Sequence, residues 1–168
     1  VINVDRRMSY TSVNKIIEEN DEAECEEYKE LVPMFHLMKE LSLILRERRR
    51  KRGAIDFDFP ESQIILNEKG KPVDIVHHER NVATKLIEDF MLAANETIAE
   101  DFFWQEKPFV YRTHEVPSPE KIESLSQIIN NFGYFLKLTG EEIHPKEFQK
   151  LIKSVEGKPE EALISRLT

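Results

Sequence analysis

A chain of 168 residues, 40% hydrophobic and 33% charged, holds enough apolar material for one core and is short for two domains. Its formal charge of −8 argues against a protein that simply coats nucleic acid with a basic face, and no apolar run approaches the roughly 20 residues needed to span a bilayer. The lone Cys25 can staple nothing within the chain, and VINVDRRMSY lacks the basic-then-apolar layout of a secretory signal, so both suit a reducing cytoplasm.

In chain order, Val1 to Val4 read as a strand end, and Thr11 or Ser12 as the cap of a short helix carrying Val13, Ile16 and Ile17. The run EENDEAECEEYKE, Glu18 to Glu30, is almost wholly acidic. A longer helix is expected from about Glu22 to Arg50, where Leu31, Met34, Phe35, Met38, Leu41 and Leu45 recur at the spacing of a buried face; Pro33 is a candidate break. Arg46 to Arg52 then concentrates six basic side chains. They suit the negative end of a helix dipole, and Gly53 suits the stop.

Behind Gly53, alternation predicts a strand: Ala54, Asp56 and Asp58 point one way, Ile55, Phe57 and Phe59 the other, until Pro60 ends it. SQIILNEKGKPVDIVHH reads as two strands joined at Glu68 to Lys71, with Gly70 in the turn. From about Arg80 to Phe103 runs the clearest helix, with Val82, Ala83, Leu86, Ile87, Phe90 and Met91 among its apolar arc and Lys85, Asp89, Glu96 and Glu100 opposite. Glu88 and Asn95 share a stripe with Leu92 at the border of that arc, where a polar side chain can look into a cleft. KPFVYRTHEV predicts another strand, and Ser118 opens a helix through Leu125 and Ile129 that ends near Gly133. YFLKL suggests a short strand, HPKEFQKLIKSV a short helix, and PEEALISRL the start of a last one. Helices and strands mix without βαβ alternation, which defines an α+β class with a mainly antiparallel sheet.

Few residues advertise chemistry. The five His residues lack metal-ligand spacing, and Cys25 sits in acidic surroundings that disfavour a thiolate. Asp56 and Asp58 are conceivable Mg²⁺ ligands, but two carboxylates alternating along a strand more often face solvent. No phosphate-cradling loop, nucleophile elbow or zinc motif occurs. Composition and spacing stop at an α+β domain with a basic patch beside an aromatic strand.

The order of local blocks goes further. RRMSYTSVNKII, RGAIDFDFPE, the hairpin ending PVDIV, RNVATKLIEDFMLAANETIAE and FVYRTHEVPSPEKI together resemble the catalytic (RNB) domain of the ribonuclease II and ribonuclease R family. RGAIDFDFPE and IEDFMLAAN favour the ribonuclease R side. The resemblance implies a processive exoribonuclease that hydrolyses single-stranded RNA from its 3′ end to nucleoside monophosphates, with Mg²⁺ in the parent protein. It also implies an RNA-binding role for three residues: Tyr10 beside the terminal nucleotides, Phe57 stacked on the last bases, and Glu88 reading the ribose 2′-hydroxyl together with the tyrosine.

An aromatic face accepts any base, and a carboxylate acceptor favours ribose over deoxyribose. Without the resemblance Phe57 reads as a core aromatic and Glu88 as a solvated helix residue. Arg112 matches a recurrent family position too; a buried ion pair or strand-end hydrogen bonds are equally compatible with it.

The family's aspartate cluster, its catalytic arginine and the flanking oligonucleotide-fold domains have no counterpart in this sequence. The expectation is therefore an internal fragment of an RNB domain over residues 1–168, with no catalytic residue and no metal ligand of its own, inactive alone. Single-stranded RNA is the implied partner, the cytoplasm the implied location, and no RNA-decay or ribosome-associated partner can be named. The rival reading is a non-enzymatic module that binds a protein or RNA through its acidic helix and basic patch.

Overall fold

Apolar residues three and four apart can be buried together only on a helix, and this chain uses that solution repeatedly. The computed structural model describes residues 3–56, 61–78, 80–137 and 143–168, and among them lie seven α-helices and one antiparallel pair of strands, an α+β arrangement. In order these are α1 (Tyr10–Asn14), α2 (Glu22–Glu27), α3 (Val32–Arg52), β1 (Glu61–Leu66), β2 (Pro72–His78), α4 (Val82–Trp104), α5 (Pro119–Asn130), α6 (Pro145–Val155) and α7 (Glu161–Leu167).

The cap of α1 is Ser9, not Thr11 or Ser12: the Ser9 hydroxyl oxygen accepts from the Ser12 N–H at 3.1 Å. The helix continues as a π-helical turn, Lys15–Glu19, closed by Asn20 in the left-handed region at φ 50°. Asparagine tolerates that region better than most side chains.

The long helix expected from Glu22 to Arg50 is two helices. The chain leaves α2 at Tyr28 and re-enters at Val32, which puts Pro33 in the first turn of α3, where its missing N–H costs nothing. At the other end Gly53 N–H donates to the Arg50 carbonyl (3.0 Å) and Ala54 N–H to that of Arg49 (3.2 Å), a Schellman stop with Gly53 at φ 105°.

The hairpin forms as read: Ile64 stands opposite Ile75, and Gly70 turns the chain at φ 71°. Two other expected strands do not form. Residues 107–116 (KPFVYRTHEV) and 134–137 (YFLK) carry no regular secondary structure. No described strand pairs with either, and β-propensity by itself does not make a strand. Residues 54–56 are also irregular, while the strand expectation at 57–60 and at Val1 and Ile2 lies outside the described residues.

The chain divides into two compact units, residues 1–46 with 58–109, and 47–57 with 110–168; the boundary falls within α3. The first unit closes over Ile16, Ile17, Phe35 and Leu86, with Met8, Val13, Val82 and Phe90 packed around them. The second closes over Leu125, Ile129, Leu151, Val155 and Ile164. Each such fully buried aliphatic side chain contributes about 1.5–3 kcal/mol.

Candidate nucleic-acid interface

Within the first unit, α1 packs on α4, and these two helices carry two of the three residues expected to meet RNA. Tyr10 is the first residue of α1, set directly after the Ser9 cap; its side chain is exposed, and its hydroxyl has no hydrogen-bond partner among the described residues. The cap and the burial of Val13 and Ile16 fix the helix that presents it.

Glu88 stands two turns into α4 and is half-exposed. Its Oε2 accepts twice from Arg80, from Nη2 at 2.7 Å and Nε at 3.3 Å. No donor among the described residues reaches Oε1. Tyr10 and Glu88 thus lie on abutting helices without a hydrogen bond between them. Phe57, the third expected residue, lies outside the described residues.

The next residue, Asp89, overturns its sequence reading as a solvent-facing position: it is 1% exposed. Its Oδ2 accepts from Ser42 Oγ (2.7 Å), Arg46 Nη2 (2.7 Å) and Arg46 Nε (3.1 Å). Three donors on one oxygen compensate the desolvation of a buried carboxylate. A signal was present, since Ser42 is a polar residue four positions before Arg46, on the same side of α3 as the buried Phe35. The apolar stripe assumed for that helix was correspondingly too broad: Met34 and Leu41 are exposed. Arg80, expected as the first residue of this helix, instead precedes its Asn81 cap, and its pairing with Glu88 follows from no periodic pattern.

The basic run is largely taken up by its own neighbours. Arg46 holds Asp89; Arg50 pairs with both oxygens of Glu47 at 2.6 and 2.8 Å; Lys51 lies 4.0 Å from Glu47. Arg49 and Arg52 are engaged as well. The Arg50 guanidinium, hydrogen-bonded to the Glu47 carboxyl, holds it below the usual carboxylate range. Arg112 is exposed and has no hydrogen bond or ion pair among the described residues, so neither structural role open to it in the sequence is filled. Among the described residues no three His, Cys, Asp or Glu side chains gather as a metal site, and no helix is long and apolar enough to cross a membrane.

Comparison with known proteins identifies the family. The RNB domain family matches residues 1–168. Ribonuclease R of Thermotoga maritima is 43% identical over 168 residues, covering 99% of this chain and 23% of the relative; that of Aquifex aeolicus is 40% identical, covering 100% and 24%. Mycoplasma genitalium RNase R in complex with ribose methylated single-stranded RNA superposes with a TM-score of 0.83 at 25% identity, covering 96% of this chain and 25% of that one.

Fold and sequence together define an α+β segment of a larger protein class. The chain belongs to the RNB domain family, and its curated relatives are ribonucleases R, of which it spans about a quarter of the length or less.

Proposed function

We propose that this chain is the part of a processive 3′-to-5′ exoribonuclease that seats the 3′-terminal nucleotides of single-stranded RNA, with hydrolysis to nucleoside monophosphates carried out by residues outside it. The observation that carries this reading is the state of Glu88: one carboxylate oxygen is held by Arg80 while the other is unclaimed, on a helix packed against the one bearing exposed Tyr10. A carboxylate offered in this way accepts from a ribose 2′-hydroxyl, and deoxyribose leaves it unpaired. The likeness to RNase R structures solved with single-stranded and with double-stranded RNA supports the substrate class.

Tyr10 joins Glu88 in reading the ribose 2′-hydroxyl beside the terminal nucleotides, and Phe57 adds a sequence-tolerant contact, since base stacking on an aromatic ring contributes about 1–3 kcal/mol whichever base is present. The Mg²⁺ of the parent protein is assigned to ligands beyond this chain, and its location to the cytoplasm. What these residues contribute is placement, and a misplacement of about 1 Å can cost on the order of 10²-fold in rate.

The reading is tested with Glu88→Ala in the full-length protein. Loss of a hydrogen bond to a charged acceptor, about 1.5–3 kcal/mol, should lower the preference for RNA over matched DNA by roughly 10- to 100-fold. An unchanged ratio removes the 2′-hydroxyl assignment.

A further inference from the structure

We infer that Arg80 is a positioning residue for ribose discrimination: it clamps Oε2 of Glu88, so that Oε1 is the edge turned to substrate, and cancels the carboxylate's charge toward RNA phosphates. This rests on the reading of Glu88 as the 2′-hydroxyl acceptor.

The bland alternative is a surface ion pair of small consequence. Four observations weigh against it. Arg80 Nε and Nη2 go to the same oxygen of Glu88, which fixes the carboxylate's rotation and leaves its other oxygen without a protein donor among the described residues. An ion pair built only for stability would gain more by using both oxygens, as Arg50 does with Glu47.

Arg80 also stands just before the N-cap of α4, at the positive end of the helix dipole, where a cation is disfavoured on local grounds. Something other than helix stability accounts for its place. The helix start beside it is fixed: the Asn81 side chain accepts from Thr84 N–H at 3.0 Å, and Thr84 Oγ1 donates back to the Asn81 carbonyl at 2.8 Å. Helical side chains lean toward the N-terminus, so Glu88 reaches back over roughly 10 Å of helix rise to meet it.

Finally, Glu88 cannot swing by rotation of the helix, because the adjacent Asp89 is pinned by Ser42 and Arg46 of α3. Successive carboxylates are held by two different arginines. Asp89 sets the helix, and Arg80 sets the reading group. An unaccompanied carboxylate beside a polyanion would repel phosphates; the guanidinium removes that penalty while the acceptor function survives.

The test is fluorescence anisotropy of the full-length protein with a chelator present to block hydrolysis. Two 5′-labelled oligoribonucleotides are compared, one all-ribose and one with 2′-deoxyribose at the 3′-terminal nucleotides. Each variant is scored by the ratio of its two dissociation constants, which does not depend on the folded fraction of the preparation. Arg80→Ala and Glu88→Gln should each lower the ratio roughly tenfold, and the double variant should lower it no further. Arg80→Lys should recover all-ribose affinity through its charge but not the ratio, because a point charge does not lock the carboxylate.

A ratio that falls in Glu88→Gln and stays at the wild-type value in Arg80→Ala overturns the role of Arg80 and leaves that of Glu88 standing. A ratio unchanged in Glu88→Gln overturns the reading of Glu88 itself. Should Arg80→Ala not be obtained folded, Arg80→Gln carries the same comparison.

Discussion

At the scale of single residues, the pair Glu88 and Asp89 shows how neighbouring carboxylates acquire different work from their surroundings. Asp89 is buried and bonded to three donors, Glu88 half-exposed with one oxygen open. Breaking a buried ion pair from one side costs about 3–5 kcal/mol, since the partner is left uncompensated. Asp89→Ala should therefore lower stability by about that amount in urea denaturation, whereas Glu88→Ala should change it by less than about 1 kcal/mol. Equal losses for the two would contradict this division. The sequence told the two apart only in part: it placed Glu88 at a border and mistook Asp89 for solvent-facing, because helical periodicity locates a face but does not tell which polar residue on it has a buried partner.

At the scale of elements, helix ends were the most legible feature where glycine marked them. Gly53 and Gly133 both close Schellman stops, and both were readable as ends. The α4 stop has the same hydrogen bonds but carries Glu106 at φ 52°, so no residue announced it. Gly53 is constrained twice over: an added Cβ would lie 3.1 Å from the Lys146 backbone nitrogen and 3.2 Å from Pro145 Cβ, and its φ is left-handed. Gln149 completes the junction by donating to the Arg50 and Ala54 carbonyls at 3.0 and 2.8 Å. Gly53→Ala should cost more than about 1 kcal/mol, read as a lowered thermal midpoint, while Glu106→Gly should be neutral or stabilising.

The strands at 107–116 and 134–137 were misread for a different reason. Strand formation needs a partner, and apolar alternation does not reveal whether one is present. What 134–137 supplies instead is a clip: the Tyr134 hydroxyl donates to Glu160 at 2.7 Å and accepts from Lys158 at 2.8 Å. The hydrogen bond from Tyr134 holds the Glu160 carboxyl below its ordinary value. A lowered folded-state pKa stabilises above the unfolded value and is lost as pH falls through the folded one. Acid unfolding followed by circular dichroism should accordingly be less steep below about pH 4.5 in Tyr134→Phe than in wild type. Identical profiles would remove the clip.

At the scale of the whole molecule, the basic run Arg46–Arg52 is occupied with helix termination and local ion pairs, and apolar side chains such as Leu37, Ile44, Ile75 and Trp104 stand exposed. Trp104 is the chain's one tryptophan and is 74% exposed, so iodide should quench its fluorescence readily in the 168-residue chain. The family was legible from the order and spacing of blocks, which integrates over many weak signals, although no single motif carried it. The central claim is that the 3′ end of RNA rests on Tyr10, Phe57 and Glu88 and not on the basic helix end. Photocrosslinking of the full-length protein to RNA carrying 4-thiouridine at its 3′-terminal positions tests this most directly: crosslinked peptides should contain Tyr10 or Phe57, and crosslinks confined to Arg46–Arg52 would contradict it.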